Sequence, residues 1–385
     1  MLRGRDIVCV GPTEWSGVWA RPQQLMARLA ARGNRILYVD PPVTALAPLK
    51  LPALRQRWLS PGSRLRSALQ NIWVLEPPLF LPFGNKRRAI NRLNQRLLAS
   101  AIRAAETSLG FRDVTLWTYL PGTADLLRHV PYRDLCYDCV DDHSAFTGLL
   151  DPAVVRAMED DLLRQADVTL ATADALHRRC LALNPDAILV PNAVDFEHLS
   201  AAREPGPVPQ EFADLARPVI GFVGALGDWI DVPLLARVAA ENPTASLVLI
   251  GPALTDVSPL TGLPNVHLLG PRPYPDLPGY LRAFDVCLNP FRINQLTASV
   301  NPIKLYEYLA AGKEVVSTAL PEVRAFADTV FVAEDEDGFA AAVQGVLSGR
   351  LAHPLEARLA VARANSWEER LKRIDEAFAH ALRGA

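Results

Sequence analysis

The chain has 385 residues, of which half are hydrophobic and 21% are charged, and its formal net charge is -2. This length exceeds one ordinary core and predicts two globular domains. The balanced charge argues against a dedicated nucleic-acid-binding protein. No apolar stretch reaches the roughly 18 to 20 residues of a membrane-spanning helix, and the first apolar run is too short for a signal peptide. We therefore expect a cytoplasmic protein, or one at the inner face of the cell membrane.

Cations are concentrated between residues 50 and 103, where eleven lysines and arginines accompany a single acid, Glu76. Aromatic residues are interspersed at positions 58, 73, 80 and 83. Such a segment predicts either peripheral contact with anionic lipid, which would suit a membrane-anchored acceptor, or a solvated arginine-rich face. The sequence leaves both alternatives open.

Strand-like and helix-like segments alternate along the chain in two blocks. In the first block, strands are expected at Asp6–Val10, Arg35–Val39, Ile72–Leu75, Val114–Thr118, Leu135–Val140, Val168–Thr172 and Ile188–Val190, and helices at Pro22–Ala31, Arg87–Glu106, Pro152–Gln165 and Ala173–Leu183. In the second, strands are expected at Val219–Val223, Ser246–Ile250, Val266–Leu269, Val286–Leu288, Val315–Ser317 and Val330–Val332, and helices at Pro233–Asn242, Leu277–Ala283, Pro302–Ala311, Gly338–Leu347 and Trp367–Leu382.

This alternation predicts an α/β protein with two Rossmann-like domains of parallel strands covered by helices. The proline-rich run Arg203–Gln210 is the best linker candidate. We expect domains at 1–203 and 218–365, a linker at 204–217 and a C-terminal helix at 366–385. Ligands of such sheets bind beyond the carboxyl ends of the strands, and hence in the cleft between two facing domains.

The five cysteines are an odd number in a large chain and predict reduced, buried thiols. Cys136 and Cys139 have a C-x-x-C spacing, but they lie on a predicted strand. Residues three apart on a strand point to opposite faces, so this spacing favours a structural role over a shared metal. No other metal-ligand pattern is present in the sequence.

A capped helix is predicted to begin at Asn301, which suits the N-cap, with Pro302 in the first helical position and Gly312 as the C-terminal stop. Lys304 lies in the first turn, where a cation opposes the helix dipole unless an anion binds there. The backbone N–H groups of the first turn and Lys304 would suit a diphosphate, and Glu307 could accept ribose hydroxyls. The alternative is a Lys304–Glu307 surface ion pair, and the spacing leaves both open.

The segment from Phe291 to Thr318, which includes this helix, resembles the donor site of GT-B glycosyltransferases. It is most similar to the retaining glycosyltransferase family 4, or group 1, especially the teichuronic-acid and exopolysaccharide members. Shorter blocks agree in chain order, at Val190–Asp195, Ile220–Gly224, Val248–Pro252 and Val266–Gly270. The similarity covers most of residues 135–335.

The resemblance implies transfer of a sugar from a nucleotide-diphosphate sugar to a glycan or lipid-linked acceptor in cell-envelope or exopolysaccharide synthesis. The reaction would retain the anomeric configuration and need neither a metal nor another cofactor. By the same resemblance, Glu307 binds the ribose, the helix start binds the diphosphate, and the loop from Gly270 to Tyr274 lies beside the base. The donor-binding candidates are Glu307, Lys304, Asn301, Pro302, Ile303, Ser299, Gly224, Arg272, Tyr274 and Arg292.

The sequence departs from the family pattern in two places. Many members carry an additional glutamate near the position of Ser299, and its absence leaves the donor sugar open. Many also carry a cation after the glycine-rich turn of the second domain, whereas Ala225–Asp231 contains none. Lys304 is our candidate to replace that charge.

The loop Gly11–Gly17 follows the first strand but is not G-x-G-x-x-G, which argues against an NAD-dependent oxidoreductase. Asp40, at the end of the second strand, is expected to be a turn residue. In the resembling family this loop borders the donor phosphate and the acceptor. The acceptor-side candidates are Trp15, Gly17 and Arg21.

Three ionisable residues, Asp141, Asp142 and His143, follow another predicted strand. They form either a solvated turn or part of a reaction centre, because charged groups at the end of a buried strand are costly unless solvated or used. The resemblance places such residues near the reacting carbon of the donor sugar. The catalytic candidates are Asp142 and His143, with Asp141 as a hydrogen-bonding support.

Three alternative functions remain open: a nucleotide-sugar epimerase, a phosphorylase, and a protein that binds a sugar nucleotide without turning it over. A phosphorylase would be larger and carry a cofactor lysine. An epimerase would convert the donor without an acceptor. Nucleotide release measured with candidate acceptors separates these alternatives.

Overall fold

The computed structural model describes residues 2–50, 62–146 and 148–381, which form two compact units. The first unit comprises Met1–Pro191 with Leu371–Ala385, and the second comprises Asn192–Arg370. The expected linker, residues 204–217, lies inside the second unit, where Phe212 belongs to the hydrophobic core. The Arg282 guanidinium also holds this segment by donating hydrogen bonds to backbone carbonyls on either side of Gly206. The boundary between the two units therefore lies between Pro191 and Asn192, before the proline-rich segment that the sequence suggested as the linker.

The first unit contains an eight-stranded sheet in the order β3-β4-β2-β1-β5-β6-β7-β8. All neighbours are parallel except β3 and β4, which are antiparallel. The strands are β1 Asp6–Val10, β2 Arg35–Val39, β3 Arg64–Leu69, β4 Ile72–Glu76, β5 Thr115–Thr118, β6 Asp134–Cys139, β7 Val168–Ala171 and β8 Ile188–Leu189. Strand β3 was not predicted, because it is an edge strand whose mostly exposed residues lack an apolar run.

The second unit contains a six-stranded parallel sheet in the order β11-β10-β9-β12-β13-β14. Its strands are β9 Val219–Val223, β10 Ser246–Ile250, β11 Val266–Gly270, β12 Val286–Asn289, β13 Glu314–Thr318 and β14 Phe331–Ala333. Strands β9, β10 and β12 are buried throughout. This burial explains why they read as continuous apolar runs in the sequence.

Helices connect the strands in both units. They are α1 Arg21–Ala31, α2 Ala47–Lys50, α3 Arg88–Leu109, α4 Pro152–Gln165, α5 Asp174–Leu181, α6 Phe196–Ser200, α7 Val232–Glu241, α8 Leu277–Ala283, α9 Ile303–Ala310, α10 Pro321–Arg324, α11 Glu336–Leu347, α12 Leu355–Ala364 and α13 Trp367–Ala381. Helix α12 was not predicted, and residue 382 of the last predicted helix lies outside the described residues.

The end of helix α13 belongs to the first unit. The ring of Phe378 stacks on that of Trp117 in β5, with the ring centroids 5.9 Å apart. The Asp375 carboxylate accepts a hydrogen bond from the Leu2 backbone N–H at 2.7 Å and pairs with Arg32 at 3.0 Å. The expected C-terminal helix is therefore present, and its last turns pack on the N-terminal sheet.

All five cysteines are buried free thiols, as the sequence predicted. Cys136 and Cys139 lie on β6, and the thiol of Cys139 is 3.5 Å from the Glu159 carboxylate. Within the described ranges, no three histidine, cysteine, aspartate or glutamate side chains form a group that could hold a metal ion. Among the same residues, no helix has both the length and the apolar character needed to cross a membrane.

Candidate functional site

Helix α9 begins at Ile303, beyond the carboxyl end of β12, and its N-cap is Pro302. The prediction of Asn301 as the N-cap is wrong, because the Asn301 side chain is used elsewhere. Its amide donates to the Tyr306 hydroxyl at 3.1 Å, and its Oδ1 accepts from the Asn192 backbone N–H at 3.0 Å. Since proline has no N–H, the free donors of the first turn start at Ile303. Gly312 adopts the left-handed conformation expected just beyond the helix, with φ of 72°.

The two charged residues of this helix form an ion pair. The Lys304 ammonium is 2.8 Å from the Glu307 carboxylate, and the side chains are 17% and 3% exposed. The ion pair that the sequence offered as an alternative is therefore present, but it is largely buried and is not a solvated surface pair. A charge that is largely buried is costly unless it is paired, so each residue offsets part of the cost of burying the other.

A neighbouring tyrosine fixes this helix against the sheet. The Tyr308 hydroxyl accepts a hydrogen bond from the Val223 backbone N–H at 2.8 Å, at the end of β9. Gly224 follows directly, and a Cβ on Gly251 would lie 1.9 Å from the Gly224 carbonyl oxygen. The structure thus brings Glu307, Lys304 and Gly224 to one sheet edge, where two backbone turns approach too closely for side chains.

The remaining donor-side candidates are more dispersed. Arg272 follows β11, the edge strand, and its guanidinium donates to the Tyr280 hydroxyl at 2.7 Å and pairs with Glu211 at 3.1 Å. The backbone carbonyl of Tyr274 accepts from His198 at 3.0 Å. Ser299 lies in a buried 3₁₀ turn, whereas Arg292 is exposed.

The acceptor-side candidates lie in the first unit. Trp15 is buried, with its ring packed edge-on against Tyr38 at 5.1 Å, and its backbone N–H donates to the Asp40 carboxylate at 2.7 Å. Asp40 lies directly after β2, as the sequence predicted, but it is a buried carboxylate that holds the Trp15 backbone and is not part of a turn. Trp15 is part of the core, so its ring is not an open platform for a sugar. Gly17 is exposed in the same loop.

Arg21 is 2% exposed and pairs with the fully buried Asp138 at 2.9 Å. Its guanidinium also donates to the Val190 carbonyl at 2.9 Å. The strand residue Asp138 and the helix residue Arg21 therefore tie α1 to the interior of the first unit. The Arg21 charge therefore has a structural role in the first unit, which the sequence did not indicate.

The cluster Asp141, Asp142 and His143 follows β6 at the carboxyl edge of the first sheet. Asp142 Oδ1 accepts hydrogen bonds from the Ser144 backbone N–H at 3.1 Å and from Arg179 at 3.2 Å. The Nε2 atom of His143 donates to the Tyr119 carbonyl at 3.0 Å, because a carbonyl can only accept. The cluster is therefore an ordered, half-buried turn and not a freely solvated one.

The protonation states of the three residues differ. Burial raises the pKa of Asp141 to about 7, and the neighbouring Asp142 adds to this effect. Burial also acts against the charge of Asp142, but hydrogen bonds from Ser144 and the charge of Arg179 outweigh it and lower its pKa. Burial lowers the pKa of His143 to about 4. At neutral pH the cluster therefore holds an ionised Asp142, a neutral His143 and an Asp141 near its titration midpoint.

His143 also lines a cavity of about 470 Å³ in the first unit. The cavity wall includes three polar residues of α3, Asn91, Asn94 and Gln95, which sequence analysis did not identify as site residues. A signal was present, because these amides recur at helical spacing on the buried face of α3. Asn91 is anchored by hydrogen bonds to the Gly122 carbonyl and the Asp125 carboxylate, each at 2.8 Å.

Comparison with known proteins supports the resemblance inferred from the sequence. Residues 217–349 match the family model described as Glycosyl transferases group 1. The chain is 30% identical over 221 residues to TuaH of Bacillus subtilis (strain 168), a protein assigned as a teichuronic acid biosynthesis glycosyltransferase. That alignment covers 54% of this chain and 55% of the relative, so the chain spans about half the length of the curated relative it matches.

Solved structures match over nearly the whole chain. Sucrose-phosphate synthase from Thermosynechococcus elongatus gives a TM-score of 0.72 at 15% identity, covering 99% of this chain and 100% of that one. A trehalose-6-phosphate structure from E. coli bound with UDP-2-fluoro glucose gives 0.63 at 14% identity, covering 97% and 98%. At these identities the likeness establishes the fold, so the predicted GT-B fold is confirmed.

Proposed function

We propose that this GT-B protein transfers a sugar from a nucleotide-diphosphate sugar to an acceptor hydroxyl in cell-envelope polysaccharide synthesis. One observation carries the proposal: the matched segment 217–349 contains helix α9, which holds a largely buried Lys304–Glu307 pair near its start and is tied to the end of β9 by Tyr308. The similarity to TuaH supports the pathway class. Retention of the anomeric configuration follows from the family resemblance.

The second unit is proposed to bind the nucleotide half of the donor. The Glu307 carboxylate would accept hydrogen bonds from the two ribose hydroxyls, which suits an ionised group with two oxygens. The diphosphate would lie at the start of α9, against the N–H groups of the first turn and the Lys304 ammonium. Because Lys304 pairs with Glu307 at 2.8 Å without ligand, binding would exchange one anionic partner for another.

In the reaction, the bond between the anomeric carbon and the diphosphate oxygen breaks, and a bond from the acceptor oxygen to that carbon forms. The acceptor proton passes to the leaving diphosphate. Negative charge grows on the diphosphate as the bond breaks, so the helix start and Lys304 stabilise the transition state more than the bound donor.

The first unit is proposed to bind the acceptor and orient the donor sugar. Because His143 Nε2 donates to Tyr119 and the ring is neutral, Nδ1 is left as a hydrogen-bond acceptor for a sugar hydroxyl. Asp142 is held ionised by Ser144 and Arg179 and would stabilise positive charge developing near the anomeric carbon. Asp141 would support this turn. A cytoplasmic location, with peripheral contact between the basic segment and anionic lipid, completes the proposal.

A two-stage experiment tests the function. UDP-, GDP- and ADP-sugars are first compared by thermal shift, because a ligand that binds only the folded state raises its stability. UDP-glucose is the first donor to test, since the related E. coli structure holds a UDP-glucose analogue. Nucleotide release is then measured with and without glycan or lipid-linked acceptors. Acceptor-dependent release supports transfer, whereas donor conversion without an acceptor indicates an epimerase. Failure of every sugar nucleotide to bind would overturn the proposal.

A further inference from the structure

The cavity of about 470 Å³ lies inside the first unit, at the carboxyl edge of its sheet. Its walls come from the loops that follow β2, β4, β5 and β6 and from helices α3 and α4. Its volume lies within the range of roughly 300–1,000 Å³ that small-molecule sites occupy. The resemblance did not predict this cavity, and the proposed donor site in the second unit does not use it.

The lining of the cavity is mostly apolar. Its inner wall includes Phe80, Leu98, Leu120, Val155 and Met158, of which Leu98 and Met158 are almost completely buried.

Large apolar side chains also continue to the protein surface. Four of the lining residues are between 40% and 59% exposed, namely Leu46, Leu81, Phe83 and Leu149. Exposed apolar side chains that cluster around a cavity mark a binding site more often than scattered ones do. The combination fits an apolar chain that enters from the surface.

One polar group inside the cavity wall lacks a partner. Gln95 is 4% exposed, and its Nε2 donates to the Asn91 side-chain oxygen at 3.3 Å, which fixes the orientation of the amide. Its Oε1 is buried and has no hydrogen-bond partner among the described residues. This oxygen has almost no accessible surface, so a molecule in the cavity does not contact it.

Two exposed cations and one exposed acid, Asp151, follow residues that line the cavity mouth. Lys86 and Arg87 are exposed and follow the rim residue Phe83 by three and four positions, at the start of α3. Exposed cations beside exposed apolar side chains favour a ligand whose anionic part stays outside and whose apolar part enters. His143 lines the same cavity, so the apolar part would lie next to a group proposed to contact sugar.

We propose that this cavity binds the aliphatic chain of a lipid-linked acceptor. The proposal rests on the proposed function for the identity of the acceptor. The chain-binding site itself depends only on the first unit.

Displacement of the fluorescent fatty acid cis-parinaric acid from the full-length protein tests the site, with n-alkanols from hexanol to dodecanol as competitors. Burial of each methylene corresponds to a gain of about fourfold in affinity, until the cavity is filled. Leu81→Glu and Leu149→Glu should each weaken decanol binding at least tenfold. Leu97→Glu is the matched control, because Leu97 is an equally exposed leucine of α3 that does not line the cavity.

Affinity that is independent of chain length, or equal losses in Leu97→Glu and Leu81→Glu, would overturn the proposal.

A further experiment tests whether the chain that the cavity binds belongs to the acceptor. If decanol inhibits transfer to a long-chain alkyl glycoside but not to the free sugar, the chain belongs to the acceptor, whereas equal inhibition of both overturns that assignment. Donor binding, measured separately by thermal shift, reports on the proposed function. Loss of donor binding with intact decanol binding would contradict the transferase proposal alone.

Discussion

The carboxyl edges of the two sheets differ in how their ionisable side chains are stabilised. In the second unit, Lys304 and Glu307 come from one helix turn and form a largely buried ion pair at 2.8 Å. In the first unit, Asp141 and His143 come from a half-buried turn in which burial shifts both pKa values toward the neutral form. The edge of the second sheet therefore suits binding of an anion by a fixed cation. The edge of the first sheet suits polar contacts that change with protonation.

The largest effect is expected at the charged edge. Glu307→Gln should reduce kcat/KM for the nucleotide sugar at least 100-fold, because hydrogen bonds to a charged group contribute about 1.5–3 kcal/mol each and two are proposed. Steady-state kinetics with the donor identified by thermal shift measures this. Glu241→Gln is the control, since that carboxylate also pairs with a cation, Arg237 at 2.7 Å, but on the exposed face of α7. Similar losses in both variants would contradict a ribose contact.

A smaller effect is expected when the cluster at the carboxyl edge of the first sheet is changed. His143→Ala and Asp142→Asn should lower kcat about 10- to 100-fold and leave the donor Kd nearly unchanged, because the nucleotide is proposed to bind the other unit. Transfer rates and donor binding are measured on the same samples. If both variants keep full transfer rates, Asp142 and His143 take no part in the reaction, and the proposed difference between the two edges is wrong.

Removal of the cation at the charged edge should act on the diphosphate alone. Lys304→Ala is expected to weaken nucleoside-diphosphate binding about 10- to 30-fold and to leave nucleoside binding within about twofold, because the ammonium faces only the phosphates in the proposed complex. Calorimetry with both ligands measures the difference. Lys304→Arg should restore most of the diphosphate affinity. Equal diphosphate binding by the wild-type protein and Lys304→Ala would refute the assignment.

The pH dependence of stability should distinguish Asp141 from His143. Between its ordinary value of 3.8 and its raised pKa of about 7, Asp141 holds a proton in the folded state that the unfolded chain has released, so its contribution to stability falls as pH rises through that window. Between its lowered pKa of about 4 and 6.5, His143 is neutral when folded and charged when unfolded, so its contribution rises with pH. The two contributions oppose each other in the wild-type protein.

Relative to wild type, each single variant should therefore show the contribution of the residue that it replaces, with its sign reversed. Relative to wild type, Asp141→Asn should gain stability as pH rises from 4 to 7, by up to about 1.4 kcal/mol per pH unit for one proton. His143→Gln should lose stability relative to wild type from pH 4 to 6.5. Urea unfolding across this range measures both. Difference curves that are flat for both variants would contradict the pKa assignments.

The smallest effect concerns the basic segment 50–103, of which residues 51–61 lie outside the described residues. Lys86→Glu and Arg87→Glu should each reduce binding to phosphatidylserine vesicles about fivefold or more, since one cation near an anionic membrane contributes about 1 kcal/mol. Flotation at low and high salt measures this. Arg350→Glu, at an exposed cation of the second unit, serves as the control. If the wild-type protein does not float at low salt, the solvated alternative is correct.

The sequence by itself determined the two-sheet α/β architecture and the position of helix α9. Buried parallel strands appear as apolar runs, and Pro302 and Gly312 delimit α9 to within one residue. These features are local, so the pattern of residue types along the chain is enough to reveal them. The motif around Glu307 was also recognisable because its residues are contiguous.

Only the tertiary structure decided which polar residues are buried and bonded in the interior. Arg21 and Asp138 are 117 positions apart, and Asn301 bonds to Asn192 across 109 positions, so neither assignment has a local signal. The cavity is assembled from four loops and two helices that are distant in sequence. Its apolar lining, the unpartnered oxygen of Gln95 and the shifted pKa of His143 all depend on burial, which arises only when those segments pack together.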